Sequence, residues 1–258
     1  MTVTPVTLVT GAGSGIGAAT ATLLAERGHA LALFDRDEDA LAQVAKPLLD
    51  EGRSVETHPV DVTSSAEVDA AVELVETGFG PIDGLANVAG VLRMGRVTEL
   101  SDEDWNATFA VNATGVFHVC RAVSRRMASR KSGSIVTVAS NAAGVPRSHM
   151  AAYAASKSAA TSLTHSLGLD LAPLGIRCNV VAPGSTDTPM LRSMWTDDTG
   201  AQATLDGDPG QFRLGIPLGR IGAAEDVARS VAFLLSDEAR HVTLATLLVD
   251  GGAALGAV

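Results

Sequence analysis

The sequence alternates between short apolar runs and stretches of helical pattern along almost its whole length. The runs at 6–10 (VTLVT), 30–35 (ALALFD) and 133–140 (GSIVTVAS) are rich in Val, Leu and Ala. Their apolar residues are continuous rather than alternate, which is typical of strands buried on both faces. Strands that alternate with helices predict a parallel sheet. We therefore expect an α/β fold, a doubly wound parallel sheet of about seven strands with helices on both faces.

The same patterns predict the bounds of all the strands and helices. The predicted strands are 6–10, 30–35, 54–62, 82–90, 133–140, 176–184 and 246–252. The predicted helices are 18–28, 38–52, 64–78, 101–130, 150–172 and 224–237. No linker, repeat or low-complexity segment interrupts the series, so residues 1–258 are predicted to form one domain. A glycine- and aspartate-rich segment at about 186–222 is expected to cover a substrate, and its part at 196–210 is expected to be mobile.

Charge and composition exclude several kinds of partner. The 258 residues include 29 acidic and 19 basic side chains, for a net charge of −10. This balance disfavours nucleic acid and anionic membranes. No apolar run reaches the about 18 residues that span a bilayer. The first residues lack a signal-peptide pattern, and the two cysteines lie outside any CxxC pair, so we expect a cytoplasmic protein with free thiols. The six histidines are scattered, and no metal is expected.

Three glycines follow the first predicted strand, in the stretch GAGSGIG. Gly11, Gly15 and Gly17 stand between the strand and the first helix. A turn of this kind lets backbone N–H groups and a helix N-terminus approach a pyrophosphate. A purely structural turn is the alternative, since tight turns use glycine anyway. The position between strand and helix favours a dinucleotide site.

An acidic residue ends the second predicted strand and bears on the choice of cofactor. A carboxylate at Asp35 can accept hydrogen bonds from the ribose hydroxyls of NAD and repels a 2′-phosphate. We therefore expect NAD, although Arg36 beside it can tolerate a phosphate, and a solvated turn aspartate is the simpler alternative. Asp61 and Val62 follow the third strand and are candidates for contact with adenine. A helix-leading aspartate explains Asp61 as well.

The only tyrosine of the chain stands four residues before one of its three lysines. Positions i and i+4 share one face of a helix, so Tyr153 and Lys157 should lie side by side. A neighbouring cation lowers a phenol pKa, which is ordinarily about 10, and makes tyrosine a general base. Ser140 ends the fifth strand, where ligands bind in open α/β sheets. Asn112 places an amide inside a predicted helix. Singly, these residues are explained by a surface pair, a helix cap and a buried amide.

Together these features resemble the short-chain dehydrogenase/reductase family, which has a Rossmann-like fold. The similarity extends over the whole chain, in TGAGSGIG (10–17), NVAG (87–90), YAASK (153–157), PGSTDT (183–188) and the final VDGG. Val88 departs slightly from the usual NNAG or NAAG. The resemblance implies a catalytic tetrad of Asn112, Ser140, Tyr153 and Lys157. It implies cofactor contacts at Gly11, Ser14, Gly15, Ile16, Gly17, Asp35, Asp61, Val62, Asn87, Ala89, Gly90, Tyr153, Lys157, Pro183, Gly184, Thr186 and Thr188.

Two stretches, 136–157 and 177–195, are similar to family members that oxidise a small cyclic diol bearing a carboxylate. Arg147 is then the candidate for binding the carboxylate, together with Ser140 and Tyr153 at the reacting hydroxyl. Met190 and Met194, with their neighbours Leu191 and Trp195, are candidates for closing over a flat ring. A solvated loop arginine and an ordinary amphipathic helix are the alternatives. The helix around Tyr153 is apolar or small on nearly every face, which indicates contacts between subunits, and the resemblance implies a homotetramer.

Two rival functions remain open. The first is another short-chain alcohol dehydrogenase or reductase, such as a 3-oxoacyl thioester reductase or a sugar dehydrogenase. The second is a nucleotide-sensing protein that has lost catalysis. Asp35 argues against an NADPH-dependent reductase. The presence of both Tyr153 and Lys157 argues against a silent protein.

Overall fold

A computed structural model describes residues 4–257 of the chain. Its main sheet has seven strands, all parallel, in the order β3-β2-β1-β4-β5-β6-β9. The strands of this sheet are β1 (Val6–Thr10), β2 (Ala30–Asp35), β3 (Val55–Pro59), β4 (Ile82–Asn87), β5 (Ser134–Val138), β6 (Arg177–Pro183) and β9 (Thr246–Val249). Strands β7 (Gly207–Asp208) and β8 (Arg213–Leu214) form a separate antiparallel hairpin. The predicted seven-stranded α/β fold is confirmed.

Nine α-helices connect the strands of the described chain. They are α1 (Gly15–Glu26), α2 (Glu38–Asp50), α3 (Ser65–Leu74), α4 (Asp102–Phe109), α5 (Val116–Arg130), α6 (Ala151–Leu171), α7 (Pro189–Arg192), α8 (Gly200–Asp206) and α9 (Ala224–Leu235). Side chains of α1, α2 and α9 form one apolar cluster with the sheet. Side chains of α3, α5 and α6 form a second cluster on the other face. The core is thus two apolar layers, one on each side of the sheet, as continuously apolar strands require.

The strand order reverses between β1 and β4. The chain builds outward from β1 to β2 and β3, then returns to β4 on the other side of β1. The loops that follow β1 and β4 therefore separate at the carboxyl edge of the sheet and leave a crevice. Ligands of open α/β sheets bind in such a crevice.

Several predicted strands end earlier than the sequence pattern indicated. The strand predicted at 54–62 stops at Pro59, which is paired with Asp35, the last residue of β2. The strand predicted at 82–90 stops at Asn87, which is paired with Thr10, the last residue of β1. In each case the strand on one side, β2 or β1, ends at the same level. The residues beyond these ends form the walls of the crevice.

The helix predicted over 101–130 is divided into three pieces. A π-helical segment, Ala110–Gly115, separates α4 from α5. Such a segment inserts a residue into the helical hydrogen-bond ladder and is frequent at functional sites. The segment carries Asn112, whose side chain is fully buried.

The segment at 186–222 contains regular structure, including the part at 196–210 that was expected to be mobile. Helices α7 and α8 and the β7–β8 hairpin all lie in it. Trp195 fastens it from within, because the indole N–H donates to Thr204 Oγ1 over 3.2 Å. Its ends are joined to each other, since Asp187 N donates to Gly222 O and Gly222 N donates to Ser185 O.

Candidate active site

Two adjoining cavities lie at the carboxyl edge of the sheet. The glycine turn lines one of them, which we call the dinucleotide cavity. Gly11 and Gly15 adopt positive φ angles of 67° and 53°, which side chains disfavour. A Cβ at Gly17 would collide with the carbonyl group of Gly11. Ser14 and Ile16 line the same cavity, with Ser14 at the N-terminal boundary of α1. The turn therefore needs glycine to bring the start of α1 close to a ligand.

Asp35 is held in place by two backbone amides at the edge of this cavity. Its Oδ2 accepts from Gly13 N over 3.0 Å, and its Oδ1 accepts from Asp37 N over 3.1 Å. The exposed Arg36 lines the cavity beside it. A carboxylate oriented in this way fits the ribose hydroxyls of a dinucleotide.

Asp61 and Val62, the candidates for contact with adenine, also lie in the wall of this cavity. The Asp61 carboxylate closes a local turn, accepting from the amide and the hydroxyl of Thr63 over 2.9 and 2.8 Å. Val62 is buried and presents an apolar surface suited to an adenine ring.

The loop after β4 is attached to the end of β1 by one hydroxyl. Thr10 Oγ1 accepts from Val88 N over 3.0 Å and from Ala89 N over 3.2 Å. Ala89 and Gly90 thereby line the dinucleotide cavity. Asn87 was predicted to contact the cofactor, but it is not among the residues that line either cavity. Its buried amide donates to Cys120 Sγ over 3.1 Å, because strand side chains alternate between faces and Asn87 lies on the face covered by α5.

The second cavity, which we call the reactive cavity, adjoins the first and is lined by the side chains predicted to react. Ser140, Tyr153 and Lys157 all line it, and all are buried. Ser140 also accepts from Ala142 N over 3.1 Å, so it caps a short 3₁₀ turn as well as facing the cavity. The Lys157 ammonium donates to Val138 O over 2.9 Å and lies 5.9 Å from the centroid of the Tyr153 ring. The i, i+4 spacing thus places the phenol and the ammonium in one site.

The pKa shifts of this pair differ from the expectation that Lys157 lowers the phenol pKa. Burial raises the pKa of Tyr153 above its ordinary value, and the hydrogen bond with Ser140 offsets part of the rise. Burial lowers the pKa of Lys157 to about 8. An ammonium with that pKa is neutral by the pH at which a phenol ionises. Desolvation is therefore the dominant cause of both pKa shifts.

Asn112 was predicted as a catalytic residue, and the structure places its side chain behind the cavity wall. Its Oδ1 accepts from Val91 N over 2.8 Å, and its Nδ2 donates to Val91 O over 2.9 Å. The same nitrogen donates to Ser156 Oγ over 3.0 Å, and that hydroxyl donates to Tyr153 O over 2.8 Å. Both hydrogens of Nδ2 are used in this way, and Oδ1 keeps one lone pair. Asn112 and Ser156 connect the π-helical segment to α6 and so position Tyr153.

The loop after β6 supplies the wall between the two cavities. Pro183, Gly184 and Thr186 line the reactive cavity, and Thr188 lines both. Thr188 also begins α7, because its hydroxyl accepts from Leu191 N over 3.3 Å. These residues stand where the resemblance places contacts with a nicotinamide.

Most of the residues predicted to contact a substrate line the reactive cavity, and Trp195 does not. Arg147, Met190 and Met194 line the reactive cavity. Trp195 turns away, because its indole bonds to Thr204 within the covering segment. Sequence reasoning missed Met94 and Met150, which bring the methionines lining this cavity to four of the six in the chain. It also missed Arg213, since a single arginine in a glycine-rich segment carries no periodic signal.

The fold and this site define a member of the short chain dehydrogenase family. The family profile, described as short chain dehydrogenase, matches residues 5–199, and the chain belongs to that family. The chain is 51% identical over 251 residues to 2,3-dihydro-2,3-dihydroxybenzoate dehydrogenase of Bacillus subtilis, covering 97% of this chain and 96% of the relative. It is 45% identical to the Escherichia coli protein of the same name, covering 96% of each.

A solved structure shows the same architecture. Gluconate 5-dehydrogenase from Burkholderia cenocepacia, in complex with NADP and tartrate, is 35% identical, with a TM-score of 0.90, and the match covers 98% of this chain and 96% of that one. The chain is therefore an oxidoreductase of a family that binds a nicotinamide cofactor. No helix within residues 4–257 is long and apolar enough to cross a membrane.

Proposed function

We propose that this protein oxidises 2,3-dihydro-2,3-dihydroxybenzoate to 2,3-dihydroxybenzoate with NAD⁺, supplying the aryl acid for catechol siderophores or related products. The observation that carries the proposal is that Arg147 lines the same cavity as Ser140 and Tyr153. A small acid held by its carboxylate at Arg147 would present a ring hydroxyl to the reactive pair. The relatives at 51% and 45% identity carry the name of this activity.

The chemistry follows from the side chains of the cavity. Ser140 donates a hydrogen bond to the reacting oxygen, and the Tyr153 phenolate removes the proton of that hydroxyl. NAD⁺ accepts the hydride released from the same carbon. The resulting ketone moves one ring hydrogen to its oxygen and becomes the catechol. Lys157 supplies positive charge beneath the phenol, and its neutral form can carry the proton away, since its pKa is about 8.

We propose NAD⁺ rather than NADP⁺ because of Asp35. Its carboxylate is held by Gly13 N and Asp37 N, so it cannot readily turn away from the 2′ position of a bound ribose. A 2′-phosphate there would meet a fixed negative charge. Arg36 is exposed beside it and offsets part of that repulsion.

We also propose that the protein assembles as a homotetramer in the cytoplasm. Leu169 of α6 and Phe117 of α5 are 65% and 39% exposed, on the two long helices for which subunit contacts are expected. Cys120 and Cys178 are buried free thiols, which suits a reducing compartment. Light scattering coupled to gel filtration measures the mass, and a monomer would contradict the assembly.

Turnover assays test the activity directly. We expect NADH formation from the dihydrodiol acid with NAD⁺, and far slower reaction with NADP⁺. Consumption of NADPH with a 3-oxoacyl thioester, without oxidation of the acid, would support the reductase alternative. Binding of NADH without turnover of any diol or alcohol would support the nucleotide-sensing alternative.

A variant at Arg147 tests the carboxylate contact. Arg147→Gln should raise KM for the acid by about tenfold or more, because a charge-assisted hydrogen bond is lost. The KM for a neutral cyclic dihydrodiol should change little. Equal effects on the two substrates would remove Arg147 from the binding site.

A further inference from the structure

We propose that Arg213, on the β7–β8 hairpin, binds the substrate carboxylate together with Arg147, so that two guanidinium groups form one anion subsite. The inference rests on the proposed function in taking the ligand to be a ring carboxylate. It adds a charged contact between the substrate and the covering segment, residues 186–222. Met190 and Met194 are the candidates for apolar contacts from the same segment.

Both arginines lie in the wall of the reactive cavity, and this is the first support. Arg147 and Arg213 are half-buried and line the same cavity as Ser140 and Tyr153. The Arg213 Nη2 donates to Ser185 Oγ over 3.2 Å, and Ser185 also lines this cavity. Arg213 is thus fastened to the loop that follows β6, close to the reacting groups.

The second support is charge. Six of the sixteen arginines, all within residues 4–257, lie within 4.0 Å of a carboxylate: Arg53, Arg93, Arg126, Arg130, Arg192 and Arg220. Within residues 4–257, neither Arg147 nor Arg213 makes such an ion pair. Burial lowers the pKa of Arg147, and the positive charge of Arg213 lowers it further. Two unpaired cations facing one cavity repel each other, and an anion between them would relieve that repulsion.

The acidic side chains nearest to the arginines are already engaged. Asp208 is paired with Arg213 across the hairpin, but its carboxylate accepts from Gly210 N over 2.9 Å and from Gln211 Nε2 over 2.8 Å. Asp250 acts on Arg147 electrostatically, yet it accepts from two backbone amides of the C-terminal turn and from Asn141 Nδ2 over 3.2 Å. Both carboxylates are already hydrogen-bonded to other groups, and neither forms an ion pair with Arg147 or Arg213.

The third support is the rigidity of the hairpin. Gly207 has φ +81°, and a Cβ at Gly207 or at Gly215 would collide with backbone atoms packed against it. Ile216 N donates to Leu205 O over 2.9 Å. The strand that carries Arg213 therefore lies directly on the C-terminal end of α8. A fixed backbone lowers the entropy that the arginine loses when it binds an anion.

Calorimetric titration of the enzyme–NADH complex with 2,3-dihydroxybenzoate and with catechol tests the subsite, because the two ligands differ only by the carboxylate. Arg213→Gln should weaken 2,3-dihydroxybenzoate by about tenfold or more and leave catechol within about twofold. Arg213→Lys should lose less, since it keeps the charge but not the fork. The combined Arg147→Gln and Arg213→Gln variant should show non-additive losses, because both groups contact one carboxylate.

The control is Lys46→Gln, which removes one exposed positive charge on α2, far from the cavity, and should change neither affinity. Equal weakening of both ligands by Arg213→Gln, or no weakening of either, would overturn the inference. Failure of the proposed function looks different, since the wild-type enzyme would then form no NADH from the dihydrodiol acid. Thermal melting of Arg213→Gln and Arg213→Lys, each with NADH bound, confirms that the variants fold.

Discussion

The Lys157 ammonium lies 5.9 Å from the centroid of the Tyr153 ring and is bonded to the Val138 carbonyl at the end of β5. The bond fixes the lysine between the end of β5, which Ser140 follows by two residues, and the helix that carries Tyr153. Both members of the pair are buried, so each is shifted toward its neutral form. The catalytic predictions below follow from this arrangement.

Removal of the phenol hydroxyl should abolish most of the turnover. Tyr153→Phe retains the ring but loses the only group able to accept the substrate proton, so kcat should fall by about 10² to 10⁴-fold. The affinity for NADH, measured by fluorescence titration, should be unchanged within about twofold. Near-normal kcat in this variant would exclude the proton-transfer role.

The sole tyrosine permits a direct titration of the base. The tyrosinate absorbance of the folded protein arises from Tyr153 alone, because the chain has one tyrosine. Burial predicts that it appears above pH 10 in the free protein. Added NAD⁺, which carries a positive ring charge, should move the transition to lower pH, and NADH should move it less. A transition below pH 10 without cofactor would contradict the predicted direction.

The buried lysine should make stability depend on pH. The folded pKa is about 8 and the unfolded value is 10.5, so between them the unfolded chain binds more protons. The contribution of Lys157 to stability therefore rises with pH across this window, by up to about 3 kcal/mol. Urea unfolding of wild type and Lys157→Met at a series of pH values measures the difference. The raised thiol pKa values of Cys120 and Cys178 act in the opposite sense but are common to both proteins.

Lys46→Met provides the matched control for the lysine experiment. Its side chain is 75% exposed, in an i, i+4 ion pair with Asp50. The stability difference between this variant and wild type should stay flat between neutral pH and about 9. A flat profile for Lys157→Met as well would show that the ammonium is not desolvated.

Removal of one charge at the end of β2 should relax the choice of cofactor. Asp35→Asn keeps the shape of the side chain but no longer repels a 2′-phosphate. The ratio of kcat/KM with NAD⁺ to that with NADP⁺ should fall by about tenfold or more, mainly through better use of NADP⁺. Glu38→Gln, which removes an exposed charge three residues away, should leave the ratio unchanged. An unaltered ratio in Asp35→Asn would assign the selectivity elsewhere.

A methyl group in the glycine turn should disturb both folding and cofactor binding. Gly17→Ala places a Cβ against the Gly11 carbonyl, and the displacement should cost about 1–3 kcal/mol of unfolding free energy. Affinity for NADH should fall with it, because the turn and the start of α1 move apart. Gly78→Ala is the control, since a Cβ there meets nothing within 4 Å. Thermal melting of both variants, with and without NADH, separates the two effects.

The sequence by itself determined the class of fold and the reactive pair. Continuous apolar runs separated by helical stretches require a parallel sheet, and glycines between β1 and α1 indicate a dinucleotide turn. The i, i+4 spacing brings Tyr153 and Lys157 to one helix face. These are local patterns. The spacing of residues within one helix or strand is set by the geometry of that element, wherever the element packs.

Tertiary structure alone decided how the other side chains are used. Asn112 was predicted as a catalytic residue and Asn87 as a cofactor contact, and packing gives their side chains hydrogen bonds to Ser156 and Cys120. The direction of the Tyr153 pKa shift depends on burial by distant segments, which spacing along a helix does not report. Arg213 meets the cavity of Arg147 only because the covering segment folds back over the sheet edge. Proximity between residues far apart in the chain results from packing, and no period in the sequence encodes it.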